Sequence, residues 1–211
     1  MSRSRSAVPI LAALAFALTF GQAVAQPAPP AASTQTPLAP PASETPPEPG
    51  APQALQPGDA FGQEVELPPR NIIYLKGHTN WDTAFDTLAD SFKSLRDYLD
   101  KQGIKPSGLP LTIYTQTDDT GFQFEAAYPI AEMPKDPPKG DIAVGPAPSG
   151  KALKFVHRGS YDAMDTTYEA ITNYLDDKQL EAKDLFIEEY TTEPVAANAD
   201  KLVVNVFVPI K

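Results

Sequence analysis

The sequence predicts an α+β domain: two repeated strand-helix-strand-strand modules side by side, forming an antiparallel sheet with two helices on one face and pseudo-twofold symmetry. Three observations predict it. The chain repeats itself at a shift of 76 residues, which lays Phe85-Asp86 on Tyr161-Asp162, Leu88 on Met164, Phe92 on Tyr168, Leu95 on Ile171 and Tyr98-Leu99-Asp100 on Tyr174-Leu175-Asp176. Within each copy the apolar members of that set recur at the three-four spacing of one helical stripe. On either side lie short segments rich in β-branched and aromatic residues.

Taken in order, the first copy spans about 71–132, with strands expected at 71–76, 111–116 and 122–130 around a helix carrying the 85–99 stripe. Asp82 or Thr83 is placed to cap that helix and Gly103 to end it, since a glycine after the last periodic residue accepts the left-handed conformation that closes a helix. The second copy spans about 150–211, with strands expected at 153–157, 185–191 and 202–208 and a helix carrying the 161–175 stripe behind Ser160 as its cap. The shift also lays Tyr114 on Tyr190 and Thr112 on Glu188. Outside the helices the offset drifts by a few residues, which belongs in loops.

The residues before the repeat are of another kind. Arg3 and Arg5 precede a twelve-residue apolar run, Pro9 to Phe20, and then Ala23-Val24-Ala25, the small-x-small pattern of a signal-peptidase site. Residues 1–25 read as a signal peptide cleaved near Ala25, and the mature protein as exported to the periplasm without stable membrane insertion, because the run falls short of the roughly 20 residues a spanning helix needs. Residues 26–60 hold 11 of the 24 prolines and almost no large apolar side chain, which reads as a disordered Pro/Ala-rich linker. The folded domain is expected over 61–211.

Charge narrows the partners. Removing Arg3 and Arg5 takes 17 basic residues to 15 against 27 acidic, for a mature net charge of −12, a field that repels phosphate backbones and argues for no nucleic-acid partner. The absence of cysteine excludes disulfides, thiolate metal sites and a cysteine nucleophile. His78 and His157 precede the two helices at near-equivalent places, a symmetry that raises a metal or haem iron held between the halves; without ligand spacing the expectation is no metal and no cofactor.

Glu188, Tyr190 and Phe186 alternate along one strand and therefore share a face. A carboxylate between aromatic rings suits a flat cation, which ring faces also attract. Tyr114, Tyr161, Tyr168 and Phe124 are further wall candidates, with plain core the favoured reading for Phe124 and Tyr168. Trp81, the single tryptophan, lies just before the first helix, where loops reach toward a cleft. Because Glu188 has Thr112 as its repeat mate, the acid exists in one copy, which suggests a pocket off the symmetry axis.

The second copy reads Lys154-Phe155-Val156-His157-Arg158-Gly159-Ser160-Tyr161, then Ile187-Glu188-Glu189-Tyr190-Thr191-Thr192-Glu193-Pro194, and closes on Val206-Phe207-Val208-Pro209-Ile210. This resembles the GyrI-like domain, also found as the effector-binding half of AraC-type and multidrug-responsive regulators, whose closing strands carry Glu-x-Tyr-x-x-x-Pro and an apolar-x-Pro-apolar step. Here Glu188, Tyr190 and Pro194 fill the first pattern and Val208-Pro209-Ile210 the second. The resemblance covers about 71–211 and implies a small-molecule-binding protein in which Glu188 is the ligand's anionic anchor. No helix-turn-helix precedes the domain in this sequence, and the linker stands in its place. Some relatives hydrolyse strained electrophiles with a glutamate and a tyrosine, so the resemblance also offers a hydrolase with Glu188 as base and Tyr190 or Tyr114 as partner acid. A third reading is a tethered envelope interaction protein, its protein partner unknown.

Overall fold

The structure, a computed structural model, describes residues 53–136 and 138–211. The expected signal peptide and all of the linker up to residue 52 lie outside the described residues.

Each repeat copy forms the expected module with one strand added in front. The first copy comprises β1 (Phe61–Leu67), β2 (Asn71–Asn80), α1 (Ala84–Gln102), β3 (Leu111–Thr117) and β4 (Gly121–Ile130). The second comprises β5 (Ile142–Pro146), β6 (Gly150–Gly159), α2 (Met164–Lys178), β7 (Phe186–Tyr190) and β8 (Leu202–Pro209). Every pairing is antiparallel, and the strands join one eight-stranded sheet in the order β1-β6-β8-β7-β3-β4-β2-β5. The order reads the same from either end once copies are exchanged, so the pseudo-twofold axis passes between β7 and β3. Thr112 pairs directly with Glu188 across that seam, which puts these repeat mates on the axis itself.

The leading strands are the unexpected elements. β1 belongs to the first copy yet pairs with β6, while β5 belongs to the second and pairs with β2, so each copy lends its first strand to the other's edge. Neither shows the alternation that marks a half-buried strand: β1 is largely exposed, and β5 is a five-residue half-buried segment ending at Pro146. Six strand intervals separate β1 from β2, about 29 Å in a flat sheet. The chain crosses from Leu67 to Asn71 in four Cα steps, about 14 Å at most. The sheet must therefore curl until its edges meet. At the meeting point the amide of Ala147 donates to the carbonyl of Arg70 at 2.8 Å.

That curl closes one face of the sheet on itself. Leu67 and Ala147 from the two crossovers plug a cluster with Ile72, Leu111, Ile113, Ala127, Ala152, Ile187 and Phe207. The other face takes both helices, and the larger core lies between them and the sheet. Leu88, Leu95 and Leu99 of α1 are completely buried there. Gly77 on β2 is required by this packing, because a Cβ at that position would fall 2.5 Å from the Phe124 ring beneath it.

Helix ends follow the sequence in part. Gly103 closes α1 in the left-handed conformation at φ 69°. At the start, a single 3-10 turn precedes each helix; Thr83 holds the N-cap position of α1 but makes no side-chain capping bond, and Asn80 caps the turn ahead of it, its side chain accepting from the Thr83 amide at 3.0 Å. Ser160 occupies the corresponding place ahead of α2 without a side-chain capping bond.

Ordered chain begins before residue 61. The amide of Gln53 donates to Arg158 and that of Val156 to Ala60, and the Arg158 guanidinium forks onto both Asp59 oxygens at 2.7 and 2.8 Å. This clasp, invisible to composition, extends the sheet edge into a segment that reads as linker; the guanidinium beside Asp59 holds its carboxyl at about 2. Among the described residues no helix is long and apolar enough to cross a membrane.

Candidate functional site

The two helices match position for position but not in chemistry, and the difference opens a cavity. Where α1 and its lead-in present Phe85, Leu88 and Phe92 to the sheet, α2 and its lead-in present Tyr161, Met164 and Tyr168. Hydrocarbon can be pressed into a core. A phenol hydroxyl there needs a polar partner. The partner is Glu188, which projects from β7 on the helix side and is 1% exposed.

Three phenols donate to this one carboxylate. Tyr114 reaches Oε2 at 2.8 Å from the neighbouring strand β3, Tyr190 reaches Oε2 at 2.5 Å from two residues along β7, and Tyr168 reaches Oε1 at 2.8 Å from α2. A second layer supports them: Thr112 donates to the Tyr190 hydroxyl, and Tyr161 lies 3.4 Å from the Tyr114 hydroxyl. No lysine or arginine forms an ion pair with Glu188 among the described residues.

Two effects oppose each other on its proton. Burial disfavours the charged carboxylate and is the larger, so the Glu188 pKa is raised above the ordinary 4.5; the three phenol donors pull it back. The tyrosines are pushed the other way from acidity, mainly by burial and then by the neighbouring Glu188 charge, so Tyr114, Tyr168 and Tyr190 hold their protons far above the usual phenol range.

Around this group lies a cavity of about 720 Å³, within the range of small-molecule sites. Tyr114, Tyr161, Tyr168, Phe186 and Met164 wall it, and Glu188 lies at its floor. Tyr168 and Phe186 meet edge to face at 5.6 Å. Trp81, half exposed at the mouth, packs on Phe122 at 5.0 Å and donates its indole N–H to the Asp118 carbonyl at 3.0 Å, which ties the β2-α1 turn to the β3-β4 hairpin. Asp118, Asp119, Asp162 and Asp165 also line the cavity, and among the described residues no basic one does.

Of the eight sequence-derived candidates, six line this cavity: Trp81, Tyr114, Tyr161, Tyr168, Phe186 and Glu188. Tyr190 acts from behind the floor, through its hydrogen bond. Phe124 is a correction: it is 1% exposed, sits beneath Gly77 and packs on Phe122, so it is core. Glu188 stands on the axis, and the cavity falls on the α2 side, where Tyr161 and Tyr168 take the places that Phe85 and Phe92 hold on the α1 side. The four aspartates, Thr117 and Met164 are additions; Asp118-Asp119 in a hairpin turn read only as turn residues, and Asp118 does serve the turn by accepting from Thr120 and Gly121 amides.

The histidines do not converge on a site. His157 is buried on β6, where its Nε2–H donates to the Ser160 carbonyl at 3.0 Å and Nδ1 faces the Thr167 hydroxyl at 2.7 Å; His78 is exposed on β2. Among the described residues no three acidic or histidine side chains are grouped to hold a metal.

Known structures share this architecture. The C-terminal domain of EcmrR matches 71% of this chain and 96% of its own length at 14% identity and a TM-score of 0.59. EcmrR in its DNA complex matches at 14% identity and a TM-score of 0.61, again over 71% of this chain, which spans 56% of the EcmrR chain. A hydrolase from Listeria innocua matches 71% of this chain and 91% of its own at 10% identity and a TM-score of 0.50. At such identities the likeness is one of fold. No match is found among curated proteins. A family model described as the GyrI-like small molecule binding domain matches residues 63–211, which takes in the whole eight-stranded sheet apart from the first two residues of β1. With the duplicated module, the acid between tyrosines and this match in agreement, the chain belongs to the GyrI-like small molecule binding domain family.

Proposed function

We propose that the domain binds apolar aromatic cations in the Glu188 cavity, as an exported module. One observation carries this reading: a buried carboxylate with no basic partner among the described residues stands at the floor of an aromatic cavity. A buried charge without a counter-ion is costly and persists where something compensates it. Phenol donors supply part of that compensation, and a bound cation completes it. Ring faces on the walls favour the same ligands.

A titration by calorimetry of a quaternary quinolinium against its neutral quinoline-type isostere tests the proposal, repeated across pH. The cation is expected to bind at least about tenfold tighter, a difference of about 1.4 kcal/mol. Its affinity should be constant above the raised Glu188 pKa and fall about tenfold per pH unit below it, because the ligand selects the ionised carboxylate. The decline therefore begins at a higher pH than an ordinary glutamate would give. Stability runs the opposite way: the folded state holds this proton more tightly than the unfolded chain, so the site favours folding more as pH falls through the raised value toward 4.5. Equal binding of the two compounds at every pH would remove the cation preference.

Hydrolysis on the same scaffold would need Glu188 as base and Tyr190 or Tyr114 as acid, and the short Tyr190 contact is its best support. The phenol protons are already committed to the carboxylate, and burial makes these tyrosines weak acids, which favours binding over turnover. Export rests on the Arg3-Arg5, apolar-run and Ala23-Val24-Ala25 pattern. N-terminal sequencing of protein from a periplasmic fraction should begin at Gln26; an intact Met1 in that fraction would overturn cleavage.

A further inference from the structure

The repeat-related place on the α1 side also holds a cavity, and this one carries a basic group, Arg96, beside the acidic Glu193. On the α1 side, a cavity of about 410 Å³ is walled by Arg96, Pro106, Leu109, Pro110, Tyr128 and Tyr190, with Glu193 at its edge. The 76-residue shift relates it to the first: Tyr190 corresponds to Tyr114, Glu193 to Thr117 and Pro110 to Phe186, all of which line the first cavity. Its inner part is filled, since Phe92 packs edge-on against both Tyr128 at 5.9 Å and Tyr190 at 5.6 Å where Tyr168 leaves room on the other side. What remains is smaller, mixed in lining, with Pro106, Leu109 and Pro110 beside Thr191 and Glu193, and bears a guanidinium where the other copy has Thr172.

Arg96 is held in place without being used up. Its Nη2 donates to the Tyr128 hydroxyl at 3.0 Å, and the guanidinium lies 5.1 Å from that ring's centre, so its plane is oriented by a tyrosine that is itself 2% exposed. Its single carboxylate contact is Glu193 at 3.5 Å, between side chains 44% and 58% exposed, an arrangement that contributes little. Five donors on a fixed fork leave capacity for a carboxylate in two-point contact. Glu193 already brings a carboxylate to this guanidinium but no apolar body to fill the cavity beside it.

We infer that this second cavity binds a small apolar carboxylate, its acid group on Arg96 and its hydrocarbon against Pro106, Leu109 and Pro110, displacing Glu193. The site shares Tyr190 with the Glu188 network but does not rest on the cation reading.

The test is a nitrogen-15 NMR titration of the full chain with benzoate and with neutral benzamide, following the Gly108 and Leu109 amides at this cavity and the Trp81 indole N–H at the other. Saturable shifts at Gly108 and Leu109 with benzoate, about tenfold weaker with benzamide, and no change at Trp81 are expected. Arg96→Gln should weaken benzoate about tenfold or more. Leu109→Trp, which keeps the charge and fills the space, should block it, and an unmoved Trp81 signal in both variants reports that the fold is intact. Equal binding of benzoate and benzamide, shifts centred on Trp81, benzoate binding unaffected by Arg96→Gln, or no saturation at tens of millimolar would each overturn the inference.

Discussion

In Glu188→Gln, the Kd of an aromatic cation is expected to rise roughly 30- to 1000-fold, equivalent to about 2–4 kcal/mol. The substitution keeps the shape of the side chain and removes its charge. Both carboxylate oxygens accept phenol hydrogens, so a ligand meets this charge across the hydroxyl layer and not by direct contact. At about 5 Å and an effective dielectric near 20, two unit charges interact by about 3 kcal/mol, which sets the scale of the loss. The neutral isostere should bind both proteins alike. Calorimetry of the two compounds with each protein checks this, and a Kd for the cation that moves less than about threefold would mean that the aromatic walls alone carry recognition.

The second large effect falls on stability. Leu95→Ala is expected to destabilise the domain by about 2–5 kcal/mol, because Leu95 is completely buried between α1 and the sheet and its removal leaves a cavity that close-packed neighbours fill only in part. For a domain of about 150 residues this lowers Tm by roughly 5–15 °C. Leu95 belongs to the well-filled helix, so cation affinity measured well below the new Tm should be unchanged. Denaturation followed by circular dichroism reads the first part, and a loss under about 1 kcal/mol would mean that α1 is less tightly packed than its burial indicates. The repeat mate Ile171, equally buried on α2, offers an internal comparison on the cavity side.

Much of this molecule was legible because its signals are local. A helical stripe and a strand with one buried face both write their period directly into neighbouring residues, which is why α1, α2 and six of the eight strands could be placed. The 76-residue repeat added the symmetry, and with it the equivalence of Thr112 and Glu188 that the β3-β7 pairing then displayed across the axis. Alternation along β7 was enough to put Phe186, Glu188 and Tyr190 on one face.

Tertiary structure decided the rest. β1 and β5 are edge strands whose partners lie about 90 and 70 residues away in sequence, and edges need only one hydrogen-bonded neighbour and little burial, so nothing periodic announces them. The Asp59-Arg158 clasp is a long-range contact that no composition reveals. Nor could a stripe of aromatics say which members face hydrocarbon and which face a carboxylate: Phe92 and Tyr168 hold the same place in the two stripes, yet one packs in the core on Tyr128 and Tyr190 and the other donates to Glu188. The sequence determined the two modules, their faces and the acid among tyrosines. Only the fold, by bringing β3, β7 and α2 together out of water, decided that the acid would be buried beneath three phenols at the floor of a cavity, with no lysine or arginine paired to it among the described residues.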